Sequence, residues 1–359
     1  MKNFFIFLIL IFSIPLHTEE CLKYVVFPFE STILLPGYTY DILWEKNKDC
    51  VTKVKIELFQ DGNFFLFLSE ETENDGIFSW VVPKGLHSGI PNPYNYSIRI
   101  TNLLNSNDFI ESHLFVISPY DFIYPFIIIP ASANSIGAYN TNWKTDLFFY
   151  NSFDLEDTID IYLFFFKEGE ADKAPIGYYF KMQKGETKTI KDVVQNAFKT
   201  KGAGSIIVEE HYMHQVYWVI SAAAYLYNDK GDEGTYGSYI PALGDNANKY
   251  DFTNKSLLNL KENEDFRTNI GIASKANFPI RVKIFLYDDN ANLIGEKEIT
   301  IPAYGFYQEY GIYKQFTSDE INEGFAYVKV LEKNFEPSIY PFASVIDNRT
   351  GDLYFIPQF

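Results

Sequence analysis

The chain of 359 residues predicts an all-β fold, an immunoglobulin-like sandwich followed by two repeated sandwich-like domains, and three observations predict it. First, apolar and polar residues alternate in most segments, as in Lys53-Val54-Lys55-Ile56-Glu57-Leu58-Phe59 and Arg281-Val282-Lys283-Ile284-Phe285-Leu286. Period-two alternation over about 5–8 residues marks a half-buried strand. Second, the runs are broken by Asn, Asp and Gly, as at Gln60-Asp61-Gly62-Asn63, Asp75-Gly76 and Asn348-Arg349-Thr350-Gly351. Those residues tolerate the positive φ of hairpin turns. Third, residues 127–243 and 257–359 carry one pattern twice.

The repeat constrains the reading most. Trp143-Lys144-Thr145-Asp146-Leu147 opens one copy and Phe266-Arg267-Thr268-Asn269-Ile270 the other. Apolar strands follow at 158–166 and 280–287. The copies close on Gly234-Thr235-Tyr236-Gly237-Ser238-Tyr239-Ile240-Pro241 and Gly351-Asp352-Leu353-Tyr354-Phe355-Ile356-Pro357. The offset of about 116 to 123 residues is far above a solenoid period. It leaves two whole domains or two halves of one body. Duplication favours spacing and multivalent binding over catalysis.

Taken in order, Met1-Lys2-Asn3 precedes an apolar stretch over 4–16 broken by Ser13 and Pro15. That is the layout of a secretory signal peptide, so residues 1–20 are expected to be a leader and the protein to be secreted or held at the cell surface. An uncleaved anchor or an atypical lipoprotein is the alternative. No later run reaches membrane-span length; 122–129 reads as a buried strand bracketed by Pro125 and Pro130. Export permits a disulfide between Cys21 and Cys50, the only two cysteines. Cys21 opens the first strand, and Cys50 follows a second over 40–45 that can return beside it. Two free thiols or a lipid on Cys21 are the alternatives.

Residues 21–118 form the first unit, with strands at sandwich spacing and with Trp44 and Trp80 expected inside. Its ordered motifs are Pro36-Gly37-Tyr38-Thr39-Tyr40-Asp41-Ile42-Leu43-Trp44, Asn74-Asp75-Gly76-Ile77-Phe78-Ser79-Trp80-Val81-Val82-Pro83 and Tyr96-Ser97-Ile98-Arg99-Ile100-Thr101. In these motifs the unit resembles the immunoglobulin-like domain of the yeast cell-wall Kre9/Knh1 type. The resemblance implies an extracellular β-sandwich of surface proteins and carries no catalytic residues. The two following units, 119–243 and 244–359, resemble a β-rich module of bacterial secreted proteins, through 130–151 and through Ile346-Asp347-Asn348-Arg349-Thr350-Gly351-Asp352-Leu353-Tyr354-Phe355-Ile356-Pro357. That resemblance implies secretion and a β fold. Short helices are expected within 190–200 and beginning at Ser318-Asp319-Glu320-Ile321-Asn322.

The net charge of −17 argues against a nucleic-acid partner, whose phosphates need clustered Lys and Arg. No catalytic residue, metal site or cofactor is assigned. There is no Gly-x-Ser-x-Gly elbow, no zinc helix and no phosphate-cradling glycine loop. Glu209-Glu210-His211-Tyr212-Met213-His214 is not read as a transition-metal site, because residues three apart on a strand face opposite ways; lying just before the apolar strand 216–224, it reads as a solvated loop. The acidic turns 288–292 and 228–233 offer oxygens of the kind calcium takes, but hairpin geometry explains them. Aromatic residues make up 18% of the chain. Most belong in β cores; Tyr139, Trp218 and Tyr236 are the places where a ring could meet a ligand, while Trp143, aligned with Phe266, is expected in the core. The reading is a non-catalytic extracellular structural or adhesion protein with a protein or polysaccharide partner. Its alternative is a carbohydrate-binding accessory to a polysaccharide-processing system.

Overall fold

The structure, a computed structural model, describes residues 20–48, 50, 52–84, 86, 96–117, 127–152, 158–170, 173–211, 220–244, 254–276, 278–331 and 339–358. The fold is all-β. Before residue 118 lie β1 (Leu22–Phe27), β2 (Thr32–Leu34), β3 (Thr39–Lys46), β4 (Lys53–Gln60), β5 (Asn63–Glu73), β6 (Ile77–Val81), β7 (Tyr96–Asn102), β8 (Phe109–Glu111) and β9 (Val116–Ile117). Sheet β1-β3-β6 packs on sheet β5-β4-β7-β8, the division of an immunoglobulin-like sandwich. Alternation decides the faces: Tyr40, Ile42 and Trp44 of β3 turn inward against Val54, Ile56 and Leu58 of β4. Trp44 and Trp80 are both buried, and the Trp44 indole donates to Asn74 Oδ1 at 2.8 Å. A disulfide joins Cys21 to Cys50 across a Cα separation of 5.4 Å.

Strands β2 and β9 leave this sandwich, pair in parallel, and dock antiparallel through β2 on the first repeat. Ile33 lies opposite Gly177 there. A Cβ on Gly177 would stand 2.6 Å from Ile33 Cβ, so only glycine lets the two backbones approach.

The first repeat contains β10 (Ile127–Ile136), β11 (Asn142–Asn151), β12 (Thr158–Lys167), β13 (Ile176–Gln183), β14 (Thr187–Ile190), helix α1 (Val193–Asn196), β15 (Gly202–His211), β16 (Ile220–Asp229) and β17 (Thr235–Pro241). Its layers are β10-β15-β12-β13 and β14-β11-β16-β17, joined where the end of β10 crosses to β11. The second repeat contains β18 (Asn254–Glu262), β19 (Phe266–Ser274), β20 (Ile280–Tyr287), β21 (Leu293–Ile301), β22 (Phe306–Glu309), β23 (Ile321–Val330), β24 (Ile339–Asp347) and β25 (Leu353–Pro357). Its layers, β18-β23-β20-β21 and β22-β19-β24-β25, repeat the strand order of the first repeat position by position.

Three local expectations change. The helical turn of the second repeat lies at Ile312–Gln315, in the place α1 holds in the first, and not at Ser318. Ile321 already begins β23, whose inward residues Ala326, Val328 and Val330 need strand periodicity to reach the core. Strand β10 begins at Ile127 and runs through Pro130, where a bulge between Ile129 and Ser132 accommodates the missing N–H. Residues 122–126 lie outside the described residues. Glu209 and Glu210 are not in a solvated loop: they sit buried in β15, paired with β12, and Glu210 accepts the Ile220 N–H at 2.9 Å. His214 lies outside the described residues.

The core of the first repeat does not stop at its own boundary. Ala273, Phe306, Tyr340, Phe342, Ile346 and Leu353 of the second repeat belong to the same apolar cluster as Trp143, Leu226 and Ile240 of the first. Polar contacts stitch the same seam: Asn228 Nδ2 donates to the Thr350 carbonyl at 3.2 Å, and the Phe355 N–H donates to Ser238 Oγ at 3.2 Å. Sheet β22-β19-β24-β25 is thus covered on both faces, by its own sandwich and by its neighbour.

Candidate functional site

The seam encloses a pocket of about 480 Å³, within the range of small-molecule sites. Small side chains make the space. Ala131, Ser132 and Ala133 of β10 and Ala203 of β15 form one wall with Trp143 and Leu226. The second repeat supplies a polar strip from the outer face of its covered sheet. Register places these groups: Asn269 of β19 lies opposite Ser344 of β24, Arg267 is two residues along the same face, and Gln308 of β22 lies opposite Gly271.

Arg267, Asn269 and Ser344 are buried and Gln308 half-buried, and all hold spare hydrogen-bonding capacity. Arg267, Asn269 and Ser344 are 8%, 5% and 5% exposed. Arg267 donates from Nη1 to Asn348 Oδ1 at 2.7 Å, and its guanidinium lies 5.1 Å from the Tyr139 ring centroid, a cation–π contact. Burial pushes the Arg267 pKa down, while Tyr139 and Glu262 push it back; a guanidinium stays charged regardless. Asn269 accepts from the Gly311 N–H at 3.1 Å through Oδ1, leaving its Nδ2 to the pocket. Among the described residues the Ser344 hydroxyl, the Gln308 amide and the Trp143 indole N–H have no hydrogen-bond partner. None of these atoms is sealed from solvent, so a ligand entering the pocket can reach them. Glu168 also lines the pocket; burial raises its pKa, and the Tyr310 hydroxyl donates to Oε2 at 2.9 Å and partly offsets that rise. The site is therefore amphipathic, with an aliphatic and indole wall facing a strip rich in donors.

The ring positions chosen from sequence fall unequally about this pocket. Tyr139 is 62% exposed, held at φ 56° in a short turn over Arg267. Trp143 is buried and serves both core and pocket wall. Tyr236 is half-buried on β17 opposite Asn228, beside the seam. Trp218 lies outside the described residues. Sequence reasoning missed Arg267, Asn269, Gln308 and Ser344. The available signal was the aligned pair Lys144-Thr145-Asp146 and Arg267-Thr268-Asn269, in which an acid becomes an amide.

The acidic turns are occupied by their own backbone. Asp288 accepts from the N–H groups of Asn290 and Asn292 at 2.9 and 2.8 Å, and Asp289 from those of Asn322 and Glu323. Asp229 accepts from Lys144 and from the Gly231 N–H. Among the described residues no group of three His, Cys, Asp or Glu side chains is arranged to hold a metal ion. No helix among them is long and apolar enough to cross a membrane.

No protein-family model and no curated protein matches the chain. Among solved structures it is similar to dimeric latent PorU from Porphyromonas gingivalis, at 11% identity and TM-score 0.20, over 92% of this chain and 32% of that one. It is similar to an α-L-rhamnosidase of Streptomyces avermitilis complexed with L-rhamnose, at 11% identity and TM-score 0.18, over 93% and 40%. A third is SGBP-B of the Bacteroides ovatus mixed-linkage glucan utilization locus in complex with a mixed-linkage heptasaccharide, at 12% identity and TM-score 0.19, over 88% and 75%. The chain spans about a third of the length of the first and two fifths of the second. Superpositions this loose carry no argument about function.

Proposed function

We propose that this protein is an exported, non-catalytic binding protein that holds a saccharide at the seam between its two repeats. The observation that carries the reading is the pocket's amphipathic build. A sugar presents C–H faces and a rim of hydroxyls, which suit an aliphatic and indole wall opposite unengaged amide, hydroxyl and guanidinium groups. Export is supported by the expected leader and by the Cys21–Cys50 disulfide, a bond that persists in oxidising compartments. The resemblance of the N-terminal sandwich to cell-surface domains belongs to the same proposal.

Glycan-array screening followed by calorimetry on the full chain tests it. Saturable binding of at least one saccharide is expected, weakened about tenfold by Ser344→Ala or Gln308→Ala, with the bound sugar recovered uncut. Absence of any retained glycan would remove the reading.

A second reading is surface presentation or adhesion, with an extracellular protein as partner. It is favoured by the continuity of the scaffold, since hydrogen bonding runs unbroken from β17 through the first repeat to β2 and β9. A continuous sheet of this kind transmits position and force along its strand order. Capture of a protein partner undisturbed by the pocket variants would favour it.

A further inference from the structure

The two repeats allow each side chain of the second to be compared with its counterpart in the first. Trp143 pairs with Asn228 and Phe266 with Asp347, which aligns Lys144 with Arg267, Asp146 with Asn269, and Asp229 with Asn348. A backbone contact confirms the register: the Asp192 N–H donates to Asp146 Oδ1 at 2.9 Å, and the Gly311 N–H donates to Asn269 Oδ1 at 3.1 Å. Both donors precede the helical turn of their repeat and adopt the left-handed conformation.

In the first repeat the charges on this face are matched. Lys144 meets Asp229 at 2.7 Å and Lys191 meets Asp146 at 2.6 Å. In the second repeat the cation remains while both carboxylates have become amides. Arg267 contacts Asn348 instead of an aspartate, and among the described residues no carboxylate lies within 4.0 Å of its guanidinium. Glu168, the carboxylate of the pocket, is engaged by Tyr310 and makes no ion pair with Arg267. The guanidinium is 8% exposed, feels Glu262 only from beyond ion-pair distance and makes no ion pair among the described residues, so it carries a desolvation cost that an arriving anion relieves. Around it stand the Asn269 Nδ2, the Ser344 hydroxyl and the Trp143 indole N–H, donors without acceptors.

We propose that the pocket selects a carboxylated saccharide, with the sugar's carboxylate taking the place of the missing acids against Arg267. The guanidinium binds it through parallel N–H···O bonds, Asn269 and Ser344 donate to its remaining lone pairs, and the sugar ring lies against the Trp143 and alanine wall. This rests on the saccharide reading above and narrows it from sugars in general to uronate-type sugars.

The test is calorimetric titration of the full chain with a trigalacturonate and with its carboxyl-reduced, neutral counterpart. The acidic trimer is expected to bind about tenfold tighter. Asn348→Asp restores the acid that Asp229 supplies in the first repeat and should bring the acidic-to-neutral ratio down to about one, because Arg267 is then already neutralised. Arg267→Gln should do the same, and circular dichroism reports whether that variant folds; Asn348→Asp keeps the question decidable if it does not. Equal affinity of the wild type for both trimers would overturn this inference and leave the saccharide reading standing. Binding of neither would overturn both. A ratio that survives in the folded variants would show that Arg267 is not the recognising group. N-acetylglutamate binding as tightly as the acidic trimer would show that the sugar is not what the pocket reads.

Discussion

Gly271 has no side chain because the ring of Phe342 occupies the place one would take. A Cβ there would stand 2.0 Å from Phe342 Cζ, and Phe342 is fully buried in the seam. Gly271→Ala should therefore destabilise the protein by about 1–3 kcal/mol, the usual scale of overpacking, measured by urea unfolding; an unchanged midpoint would mean that the ring can move. Charges at the same scale act oppositely on pH dependence. Lys144, joined by the Gly231 N–H, holds the Asp229 carboxyl below its ordinary value of 3.8. Its stabilisation is present above that value and lost as pH falls through the depressed one. Burial raises Glu262 above its ordinary 4.5, against the pull of the Thr268 N–H and Lys314. What Glu262 contributes is present below 4.5 and lost as pH rises through the raised value. Asp229→Asn should lower stability at pH 7, with the difference vanishing in acid. Glu262→Gln should raise it at pH 7, again converging in acid. Urea midpoints between pH 3 and pH 8 distinguish the two slopes.

At the scale of elements, burial pattern separates strands that sequence alone treats alike. Strand β24 reads Ile339-Tyr340-Pro341-Phe342-Ala343-Ser344-Val345-Ile346 and is buried throughout. Ile339, Ala343 and Val345 face its own sandwich, while Tyr340, Phe342 and Ile346 face the neighbouring repeat. A strand covered on both faces loses its alternation. Its counterpart β16 keeps Tyr225 and Tyr227 on an outer face, stacked at 5.2 Å and only part-buried. Strand β5 shows the opposite extreme. It is an edge strand whose Phe64, Phe65 and Phe67 are 49%, 43% and 46% exposed. Exposed apolar edges template pairing with other chains. Phe64→Thr with Phe67→Thr should reduce self-association in light scattering at millimolar concentration and shift stability by no more than about 0.5 kcal/mol. Undiminished association would place the sticky surface elsewhere.

For the whole molecule, the shared core makes the repeats one cooperative body. Tyr340, Phe342 and Leu353 are 0%, 1% and 3% exposed and lie in one apolar cluster with residues of the first repeat. Calorimetry should show residues 127–359 melting in one transition with equal van't Hoff and calorimetric enthalpies. The second repeat alone, starting at residue 254, should expose that apolar face and aggregate. Two well-separated transitions, or a soluble isolated second repeat, would contradict the fused core. The pocket follows from the same arrangement, since its walls come from different repeats and neither encloses it alone.

Sequence by itself determined what depends on neighbours along the chain. Alternation and turn residues specify the strands, the inward placement of Trp44 and Trp80, and the two copies with their shared closing cadence, because a strand's two faces are written every second residue. It also marked Tyr139 and Trp143, though for different reasons from those that matter at the seam. Tertiary structure decided which faces are covered and which charges are matched. Arg267 lies 81 residues from Asn348 and more than 120 from the Trp143 wall, and nothing local states that Asp229 has no acidic counterpart beside it. The Arg267–Asn348 hydrogen bond exists only once β19 pairs with β24, and the Trp143 wall meets it only once the two repeats pack. The pocket and its donors therefore become visible only in the folded chain.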